Sequence, residues 1–450
     1  MKSVALHNLG CKVNSYELDV MQQFLQKEGY EIVDFYQKAD IYIINTCTVT
    51  NVADRKSRQM IHRAKKQNPE AIVVAVGCYV QTAEKQMEDD PYIDLAIGNN
   101  RKKEIVSIVE EFLKTRETAG KTLSGRTIPD IAQEKEYEEM QLAHTAEHTR
   151  AYIKIQDGCN QFCSYCVIPY ARGRVRSRKP ENVLAEIGGI VAAGYKEVVL
   201  TGIHLSSYGL DFRGETYNTD GAGDDLIELI EQIHKVEGLT RIRLGSLEPR
   251  IVTEEFAERL SKMPKVCPHF HLSLQSGSDT VLKRMNRRYT CREFKDGVRI
   301  LRKYFDQPAI TTDVITGFPG ETEEEFAQTE AFLEDIKFFE MHVFPYSRRE
   351  GTVAASMPGQ LTEKEKKSRS AVLLEMDKRY SVSYREQYLG RETEVLFEQM
   401  QQIGGEDYYV GHTKNYIKVA VKSEEDLTNR EIVCKLYSML DEETVFAQKN

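Results

Sequence analysis

The chain has 450 residues, of which 41% are hydrophobic and 29% are charged, and its formal net charge is −9. This length predicts two or three domains, and no run of about 18 apolar residues is present to form a membrane-spanning helix. The acidic balance weighs against a general nucleic-acid binder, and nine cysteines are too few for a disulfide scaffold. Because the N-terminus lacks an apolar leader, we expect the protein in the cytoplasm, where thiols stay reduced.

The first hundred residues alternate strand-like and helix-like patterns. Three short apolar runs, SVALHNLG, IYIINT and IVVAVG, have the composition of buried parallel strands. The segment NSYELDVMQQFLQKEG has a helical pattern and ends at Gly29, as a helix C-terminus should. We therefore predict an α/β protein that begins with an open parallel α/β sheet over residues 1–113.

Each of these three strands ends in a cysteine, at Cys11, Cys47 and Cys78. The carboxyl ends of parallel strands meet at one edge of a sheet, where ligand sites form. Cysteines that are 36 and 31 residues apart in the sequence can therefore meet in space. The alternative is three unrelated buried thiols, since free cysteine is often buried. The repeated position at a strand end favours a three-cysteine cluster site.

Three further regions follow the predicted sheet. Residues 114–144 have few large apolar side chains, which predicts a linker along the surface. Residues 145–375 contain six strand-like runs between helical ones, which predicts a partial (β/α)6 barrel. Residues 376–450 begin in a helix and continue as short strands with Gly and Asn turns, which predicts a small OB-like β-barrel.

The run CNQFCSYC directly follows the first strand of the predicted barrel. Its cysteines, Cys159, Cys163 and Cys166, are close enough in sequence to converge on one small inorganic core. A four-iron cluster takes four ligands, so three cysteines leave one iron open for a cofactor. A zinc site usually takes four ligands from two knuckles, and no second knuckle lies nearby. The run therefore predicts an iron–sulfur cluster rather than a zinc site or a disulfide knot.

The strand HFHLSLQS alternates with a period of two. One face is apolar and should meet the outer helices, whereas the other is polar and should face the barrel interior, where Asp313 is placed to join it. Side chains usually fill such an interior, so a polar row indicates a cavity for a polar ligand. The alternative is a row that satisfies its own hydrogen bonds. The polar row consists of His269, His271, Ser273 and Gln275.

The whole chain resembles the methylthiotransferases, which are radical S-adenosylmethionine enzymes with an N-terminal cluster domain, a radical core and a C-terminal TRAM domain. The resemblance rests on NLGCKVNSYE, NTCTVTNVADRKSRQ, VGCYVQ, CNQFCSYCVIPYARGR, TGIHLSSYG, LEPR, LSLQSGSD, DVITGFPGET and FPYSRREGT. It implies two [4Fe–4S] clusters and S-adenosyl-L-methionine as cofactors. The radical cluster would be held by Cys159, Cys163 and Cys166, and the auxiliary cluster by Cys11, Cys47 and Cys78. The implied cofactor-binding residues are Gly202, Glu248, Ser273, Gln275 and Asp313.

The resemblance also implies a reaction and its partners. In this family one S-adenosylmethionine methylates sulfur at the auxiliary cluster, a second yields a radical, and the methylthio group ends at C2 of an adenine. The runs NTCTVTNVADRKSRQ and CVIPYARGRVRSR are most similar to the class acting on N6-threonylcarbamoyladenosine at position 37 of tRNA. The alternatives are N6-isopentenyladenosine in tRNA and an aspartate of a ribosomal protein. The implied partners are the tRNA anticodon loop, an electron donor protein and a sulfur donor, with no membrane.

RNA contacts are expected in two places. The arginines of ARGRVRSR follow the radical cluster and are candidates for tRNA phosphates. The C-terminal domain is acidic, with ten Lys/Arg and 14 Asp/Glu in residues 376–450, yet Tyr408, Tyr409 and Tyr416 could stack on bases. The alternative for this domain is a packing role alone. The candidate RNA-binding residues are Arg172, Arg174, Arg176, Arg178, Lys414 and Lys418.

Three cysteines fall outside both predicted clusters. They are Cys267, Cys291 and Cys434. Cys434 shares a strand face with Ile432 and Leu436, so we expect it in a hydrophobic core. No ligand role is predicted for any of the three.

Overall fold

A computed structural model describes residues 2–83, 90–119, 125–143, 149–215 and 223–449. Its first unit contains the strands β1 (Ser3–Asn8), β2 (Glu31–Val33), β3 (Ile41–Thr46), β4 (Ile72–Gly77), β5 (Leu95–Ile97) and β6 (Gly125–Thr127). Its helices are α1 (Lys12–Lys27), α2 (Asn51–Gln67), α3 (Cys78–Thr82) and α4 (Ile105–Ala119). The strands form a parallel sheet in the order β2-β1-β3-β4-β5-β6. This confirms the predicted open α/β sheet, and β3 and β4 are buried along their whole length, as strands covered on both faces are.

The segment expected to be a surface linker is partly built into the fold. Strand β6 pairs in parallel with β5 at the sheet edge, and the Met140 and Leu142 side chains are buried in the core of the following unit. The expectation of a surface linker is wrong for these residues, because a few well-placed apolar side chains were enough to anchor the segment. Residues 120–124 and 144 of the expected linker lie outside the described residues.

The second unit is an arc of parallel strands. They are β7 (Arg150–Asp157), β9 (Glu197–Gly202), β10 (Arg241–Leu244), β11 (His269–His271), β12 (Ala309–Thr316) and β13 (Glu340–Pro345), with a short antiparallel β8 (Arg176–Ser177) beside β7. The pairs run β7-β9-β10 and β11-β12-β13. The isolated parallel bridges Ile242↔Val266 and Leu247↔Leu272 join the two halves. This arrangement confirms the predicted partial (β/α)6 barrel.

Helices follow the strands of this arc along the chain. They are α5 (Ile168–Arg172), α6 (Pro180–Ala192), α7 (Asp224–His234), α8 (Glu254–Ser261), α9 (Asp279–Arg284), α10 (Cys291–Tyr304), α11 (Glu323–Ile336) and α12 (Val353–Ser356). Short 3₁₀ turns span Lys102–Glu104, Leu205–Ser207, Leu210–Arg213 and Pro249–Ile251. The apolar residues Phe270, Leu272 and Leu274 are fully buried in the core that these helices complete. The period of two in HFHLSLQS therefore correctly predicted which face meets the helices.

The third unit is a closed barrel of the strands β14 (Glu392–Ile403), β15 (Glu406–Thr413), β16 (Lys418–Val421), β17 (Glu431–Met439) and β18 (Thr444–Lys449). Their order around the barrel is β14-β15-β16-β18-β17, as expected for a small OB-like fold. The helix before it, α13 (Glu363–Glu386), continues past the boundary expected at residue 375. Cys434 is fully buried in the barrel core, as predicted. Within the described residues, the helices are all too short or too polar to cross a membrane.

The closed barrel packs against the N-terminal ends of the arc strands. The Arg241 guanidinium, at the start of β10, is fully buried and lies 2.7 Å from a carboxylate oxygen of Glu431. The Tyr416 ring stacks between the rings of His269 and His412, with centroid distances of 4.8 and 4.7 Å. The C-terminal unit therefore forms the floor of the barrel interior, which is called the lumen below.

Candidate functional site

Neighbouring strands β1, β3 and β4 bring Cys11, Cys47 and Cys78 to one edge of the sheet. A Cβ atom at Gly10 would lie 2.9 Å from the Cys47 Sγ, and Gly10 has a φ of +107°, so this close approach requires glycine. Burial and, to a smaller extent, the neighbouring Cys78 and Cys11 thiols raise the pKa of Cys47 to about 12. The structure thus brings together the three thiols that the sequence predicted at the strand ends. This group is called the sheet site.

The loop between β7 and α5 carries Cys159, Cys163 and Cys166, called the loop site. Gly158 begins this loop with a φ of +74°, and a Cβ there would lie only 1.8 Å from the carbonyl oxygen of Arg174. Burial and, to a smaller extent, the neighbouring Cys163 thiol raise the pKa of Cys166 to about 12. The Cys166 backbone N–H donates to the Cys163 carbonyl oxygen at 2.9 Å, so a tight turn brings these two residues together.

One arginine joins the two sites. The short helix α5 begins just after the loop site and packs against α3, whose first residue is Cys78. Arg172, the last residue of α5, donates a hydrogen bond from Nε to the Cys78 Sγ at 3.1 Å. Asn99 lies nearby and donates from Nδ2 to the same sulfur at 3.6 Å. The loop that carries one triad therefore places a cation on a sulfur of the other.

A buried network of charges holds Arg172 in place. Arg172 and Lys102 pair with the Glu17 carboxylate, and Lys154 lies 2.7 Å from Glu17 and 2.6 Å from Asp157. Although burial raises the pKa of Asp157, the Lys154 and Arg172 cations lower it to about 2. The same kind of pairing holds the pKa of Glu17 well below its usual range. Three cations therefore contact two carboxylates, which leaves one positive charge in excess. This excess charge favours a negatively charged thiolate at Cys78.

The structure corrects the expected RNA contacts of this segment. Arg172, Arg176 and Arg178 are almost completely buried, so their guanidinium groups do not face a tRNA phosphate. Arg178 pairs with the Glu186 carboxylate and donates from Nε to Glu139 at 2.7 Å. The expectation is wrong for these three residues, because buried carboxylates bind Arg172 and Arg178, and backbone carbonyl oxygens bind Arg176. A contact from Arg174, which is exposed, stays a prediction.

A second arginine contacts the loop site. Arg287 donates from Nη1 to the Cys163 Sγ at 3.2 Å and from Nε to the Tyr289 hydroxyl at 3.0 Å. The Tyr289 hydroxyl donates to the carbonyl oxygens of Ser273 and Leu274. In the sequence, Arg287 is one of several basic residues between Lys283 and Arg292, a composition that is typical of a solvated face. Its position in NRRY, twelve residues after Gln275 at the end of the polar row, does not identify a sulfur contact.

The first part of the lumen wall presents a buried carboxylate. Glu248 accepts a hydrogen bond from Gln161 Nε2 at 3.2 Å, and His204 Nε2 lies 3.4 Å from the same oxygen. Although burial raises the pKa of Glu248, its bond to His204 lowers it below the usual range. An ionised carboxylate therefore lies next to the loop site, and Gln161 is the residue of that loop that contacts it. Gly202 lies at the end of β9, where a Cβ would come within 2.9 Å of Gln156 Oε1.

The second part of the lumen wall carries the polar row. His271 Nε2 lies 3.2 Å from Asp313 Oδ2, and the His342 ring stacks on the His271 ring at 5.9 Å. Although burial raises the pKa of Asp313, its bond to His271 lowers it. Gln275 adopts a left-handed conformation with a φ of +70° and donates from its backbone to the Asp313 carbonyl. The row is thus partly satisfied internally, and it still presents polar groups to the lumen.

The C-terminal unit offers less to RNA than expected. Tyr416 is stacked between two histidines, and the Tyr408 side chain is buried, so neither ring is free for a base. The Lys414 ammonium contacts the Pro264 carbonyl at 3.3 Å and the Glu394 carboxylate at 3.7 Å, which directs it toward the second unit. The expectation is wrong for Tyr416 and Lys414 because they form the contact between units, and for Tyr408 because it packs within the closed barrel. Roles for Tyr409 and Lys418, which are half-buried, stay predictions.

The two triads fit iron–sulfur clusters by their donor chemistry. Each provides three thiols and no fourth cysteine, and each has an arginine donating to one sulfur. Thiolate ligands carry negative charge, which these cations offset, and hydrogen bonds to sulfur are a usual part of cluster sites. Cys267 is buried and Cys291 is half-buried, and neither belongs to the two triads.

Comparisons with known proteins agree with this geometry. Residues 153–333 match the model of the Radical SAM superfamily, and residues 3–98 match that of the Uncharacterized protein family UPF0004. A Bacillus subtilis protein, "Threonylcarbamoyladenosine tRNA methylthiotransferase MtaB", is 42% identical, and the match covers 97% of this chain and 94% of that protein. The chain belongs to the methylthiotransferase family. As a radical S-adenosylmethionine methylthiotransferase, it is an enzyme whose cofactors are two [4Fe–4S] clusters and S-adenosylmethionine.

Other relatives of this methylthiotransferase bear two different names. An Aquifex aeolicus protein with the same name as the B. subtilis one is 40% identical over 90% of this chain and 95% of its own. A Moorella thermoacetica protein, "tRNA-2-methylthio-N(6)-dimethylallyladenosine synthase", is 34% identical over 97% of this chain and 96% of its own. Among solved structures, the radical S-adenosylmethionine methyltransferase TsrM from Kitasatospora setae has a TM-score of 0.58 at 18% identity, over 78% of this chain and 77% of that one. The similarity to TsrM shows that the two proteins share a fold.

Proposed function

We propose that this enzyme adds a methylthio group to C2 of N6-threonylcarbamoyladenosine at position 37 of tRNA. The observation that carries the proposal is the pair of three-thiol sites, joined through Arg172. Each site offers three thiol ligands, so a four-iron cluster held there would keep one iron open, for the cofactor at one site and for sulfur at the other. The choice of base is supported by the two relatives of at least 40% identity, whose names both specify threonylcarbamoyladenosine.

The residues divide the work between the two sites. The aromatic C2–H bond is not acidic enough for a side-chain base, so a radical route is required. When bound at the loop site, the cluster and S-adenosylmethionine supply that radical. Cys159, Cys163 and Cys166 hold this cluster, and Arg287 orients Cys163 by its hydrogen bond. Cys11, Cys47 and Cys78 hold the second cluster.

Lumen side chains bind the cofactor in this proposal. The ionised Glu248 carboxylate accepts hydrogen bonds from the cationic amino group of S-adenosylmethionine, and Gln161 and His204 fix its orientation. The Asp313 carboxylate, oriented by His271, binds ribose hydroxyls. Gly202 keeps space beside Gln156, and the backbone of Ser273 and Gln275 shapes the wall between the two carboxylates.

The partners follow from the reaction. The substrate is the anticodon loop of tRNA, and a reductant protein and a sulfur donor renew the clusters in the cytoplasm. The exposed Arg174 guanidinium lies over the Phe162 ring at 4.5 Å, and the exposed Tyr170 ring is 5.7 Å from Phe162. A cation beside accessible aromatic rings is suited to phosphate contact and base stacking. This surface, next to the loop site, is the proposed RNA contact.

Mass spectrometry of tRNA nucleosides from a deletion strain tests the proposal. We expect 2-methylthio-N6-threonylcarbamoyladenosine to disappear while its unmethylthiolated precursor accumulates, and a plasmid copy should restore it. Persistence of the product in a strain without a second such enzyme contradicts the proposal. Loss of 2-methylthio-N6-isopentenyladenosine instead identifies the second candidate, which the 34% identical relative favours. A mass change in a ribosomal protein, with tRNA unaffected, identifies a protein substrate.

A further inference from the structure

The helix α2 presents a row of cations on its outer surface. It contains six Lys/Arg and one acidic residue, although the chain as a whole has a net charge of −9. Four of these cations are exposed, and they fall within about 100° of one another around the helix axis, since each residue turns an α-helix by about 100°. This surface is called the basic face, and it consists of Arg55, Lys56, Arg63 and Lys66.

The acidic residues near α2 are already bound by other groups. Asp54, the one acidic residue of the helix, lies 2.6 Å from the guanidinium of Arg349, and Asp94 lies 2.6 Å from the ammonium of Lys65. Among the residues that the structure describes, no carboxylate forms an ion pair with the basic face. Its four positive charges are therefore available to a partner.

A second basic helix shows that this lack of pairing is particular to α2. The helix α10 carries five Lys/Arg, and three of its exposed cations have a carboxylate within 4 Å, so its charge is largely neutralised by the protein itself. These pairs are Lys295 with Asp335, Arg299 with Asp296, and Lys303 with Glu254. The composition of the two helices is similar, but only α2 keeps its charge for another molecule.

The basic face begins at the mouth of the lumen. α2 starts four residues after Cys47, and its first residue, Asn51, donates from Nδ2 to the Arg348 carbonyl oxygen at 2.9 Å. Arg348 lies just beyond the carboxyl end of β13, and barrels of this kind place their chemistry at the carboxyl ends of strands. The 17 residues of α2 extend about 25 Å from this point. The cations therefore form a track that leads away from the active site.

Two exposed aromatic rings border the basic face. The Arg63 guanidinium lies over the Tyr36 ring at 4.5 Å, and Tyr36 is 60% exposed. The His62 ring lies 4.4 Å from the ring of Tyr92, which is 44% exposed. Stacking holds the guanidinium in place, so it loses little freedom when it binds a phosphate. Cations beside exposed aromatic rings are typical of nucleic-acid contacts.

We infer that the basic face binds the sugar–phosphate backbone of the tRNA anticodon stem. The inference rests on the proposed function and deepens it, because it names the part of the substrate that the first unit holds. With the base at position 37 in the lumen, a helix that leads about 25 Å outward reaches past the loop to the duplex. Proteins contact the phosphates of duplex RNA largely without reading its sequence, which a row of unpaired cations can do.

Binding of a tRNA anticodon stem-loop to the reconstituted enzyme tests this role. In the triple variant Arg55→Gln, Lys56→Gln, Lys66→Gln we expect Kd to rise at least about tenfold at about 0.1 M salt. The slope of log Kd against log salt should fall by about two to three, since each lost phosphate contact removes about 0.7 to 0.9. The KM for tRNA should rise while kcat at saturating tRNA and S-adenosylmethionine cleavage without RNA stay unchanged, which excludes a folding defect.

Two controls make the test specific. The triple variant Lys295→Gln, Arg299→Gln, Lys303→Gln on α10 changes the net charge of the protein by the same amount, and it should bind the stem-loop within about twofold of the wild type. A single-stranded oligonucleotide of the loop alone lacks the stem, so the α2 variant and the wild type should bind it within about twofold of each other.

Four results would overturn the inference. Unchanged affinity and salt slope in the α2 variant would mean that the basic face does not touch RNA, and an equal loss in the α10 variant would mean that only net charge matters. An equal loss on the loop oligonucleotide would place the contact in the loop. Intact RNA binding with slower turnover on a protein reductant, but not on a small chemical reductant, would assign the face to the electron donor.

Failure of the proposed function gives a different result. The wild-type enzyme would then bind the stem-loop through the basic face, with the full salt slope, and would leave N6-threonylcarbamoyladenosine unmodified.

Discussion

The sheet site collects its cysteines from the ends of three neighbouring strands, whereas the loop site takes all three from eight consecutive residues. The sheet site therefore exists only after a domain has folded, and its geometry is fixed by strand spacing. The loop site depends on one glycine turn and on side chains that anchor the loop. Yet each has an arginine on one sulfur, Arg172 or Arg287. Similar ligand sets can thus be supported by very different parts of a fold.

The largest expected effect comes from breaking the loop site. Cys163→Ala should lower S-adenosylmethionine cleavage below detection, because the remaining two thiols cannot hold the cluster that leaves an iron open. Iron content should fall by about half, since the sheet site keeps its own cluster. The buried Cys267, replaced by alanine, is the control. Cleavage at the wild-type rate in Cys163→Ala would show that the two sites are assigned wrongly.

Breaking the sheet site should separate methylthiolation from cofactor cleavage. In Cys78→Ala we expect methylthiolated product to be lost while some cofactor cleavage remains, because the loop site is intact. Measuring the methylthiolated product and 5′-deoxyadenosine in the same reaction gives the ratio of methylthiolation to cofactor cleavage. Cys291→Ala is the matched control outside both triads. A variant that still makes product at the normal rate would contradict the division of labour.

Replacing the two arginines should reveal how differently the sites are supported. Arg172→Met leaves Glu17 and Asp157 buried with fewer cations, so the free energy of unfolding should fall by about 3 kcal/mol. Arg287→Met should cost less, because the described residues give Arg287 hydrogen bonds to neutral groups and sulfur but no ion pair. Urea denaturation of both variants measures the difference. If both variants lost the same free energy of unfolding, the charge network around Arg172 would give the sheet site no additional stability.

The smallest expected effect is a shift in the pH dependence of cluster loading. Burial raises the pKa of Cys47 and of Cys166 to about 12, so these thiols are protonated at neutral pH and must lose protons to bind iron. Loading should therefore weaken as pH falls, by about tenfold per pH unit for each proton released. The Arg172 cation lowers the pKa of Cys47, and Arg287 lowers that of Cys166.

Each arginine variant should consequently shift only its own site. In Arg172→Met the loading curve of the sheet site should move to higher pH while that of the loop site stays in place, and Arg287→Met should do the reverse. Iron titrations between neutral and mildly alkaline pH, with the other triad replaced by alanines, resolve the two curves. Both curves moving together in either variant would show that the fields of the two arginines are not local.

Much of this architecture could be predicted from the sequence. The loop site was readable from spacing alone, because its three cysteines are local. The sheet site required one further step, since Cys11, Cys47 and Cys78 become neighbours only through the parallel order of their strands. Both predictions use regular features of the sequence, namely cysteine spacing, hydrophobic periodicity and strand ends. These features can be identified from the amino-acid pattern itself.

The roles of the arginines could not be predicted, for a physical reason. A run such as ARGRVRSR has the composition of a solvated or phosphate-binding surface. Its true partners are distant in the chain: Glu17 lies 155 positions from Arg172 and becomes its neighbour only when α1 packs along β7. Burial of a charge depends on such tertiary pairing, which local pattern does not encode.

The floor of the lumen is made by the last part of the chain, and this sets an order of assembly in the cell. A nascent chain leaves the ribosome from its N-terminus, so β7 to β13 emerge before β14 to β18. Until β14 to β18 have been synthesised, Arg241 lacks its ion pair with Glu431 and the His269 ring lacks its stacking partner Tyr416. A ribosome that stopped early would release a protein with all six cluster cysteines and an unfinished pocket. Iron supplied during translation would thus reach the thiols before the pocket is closed beneath them.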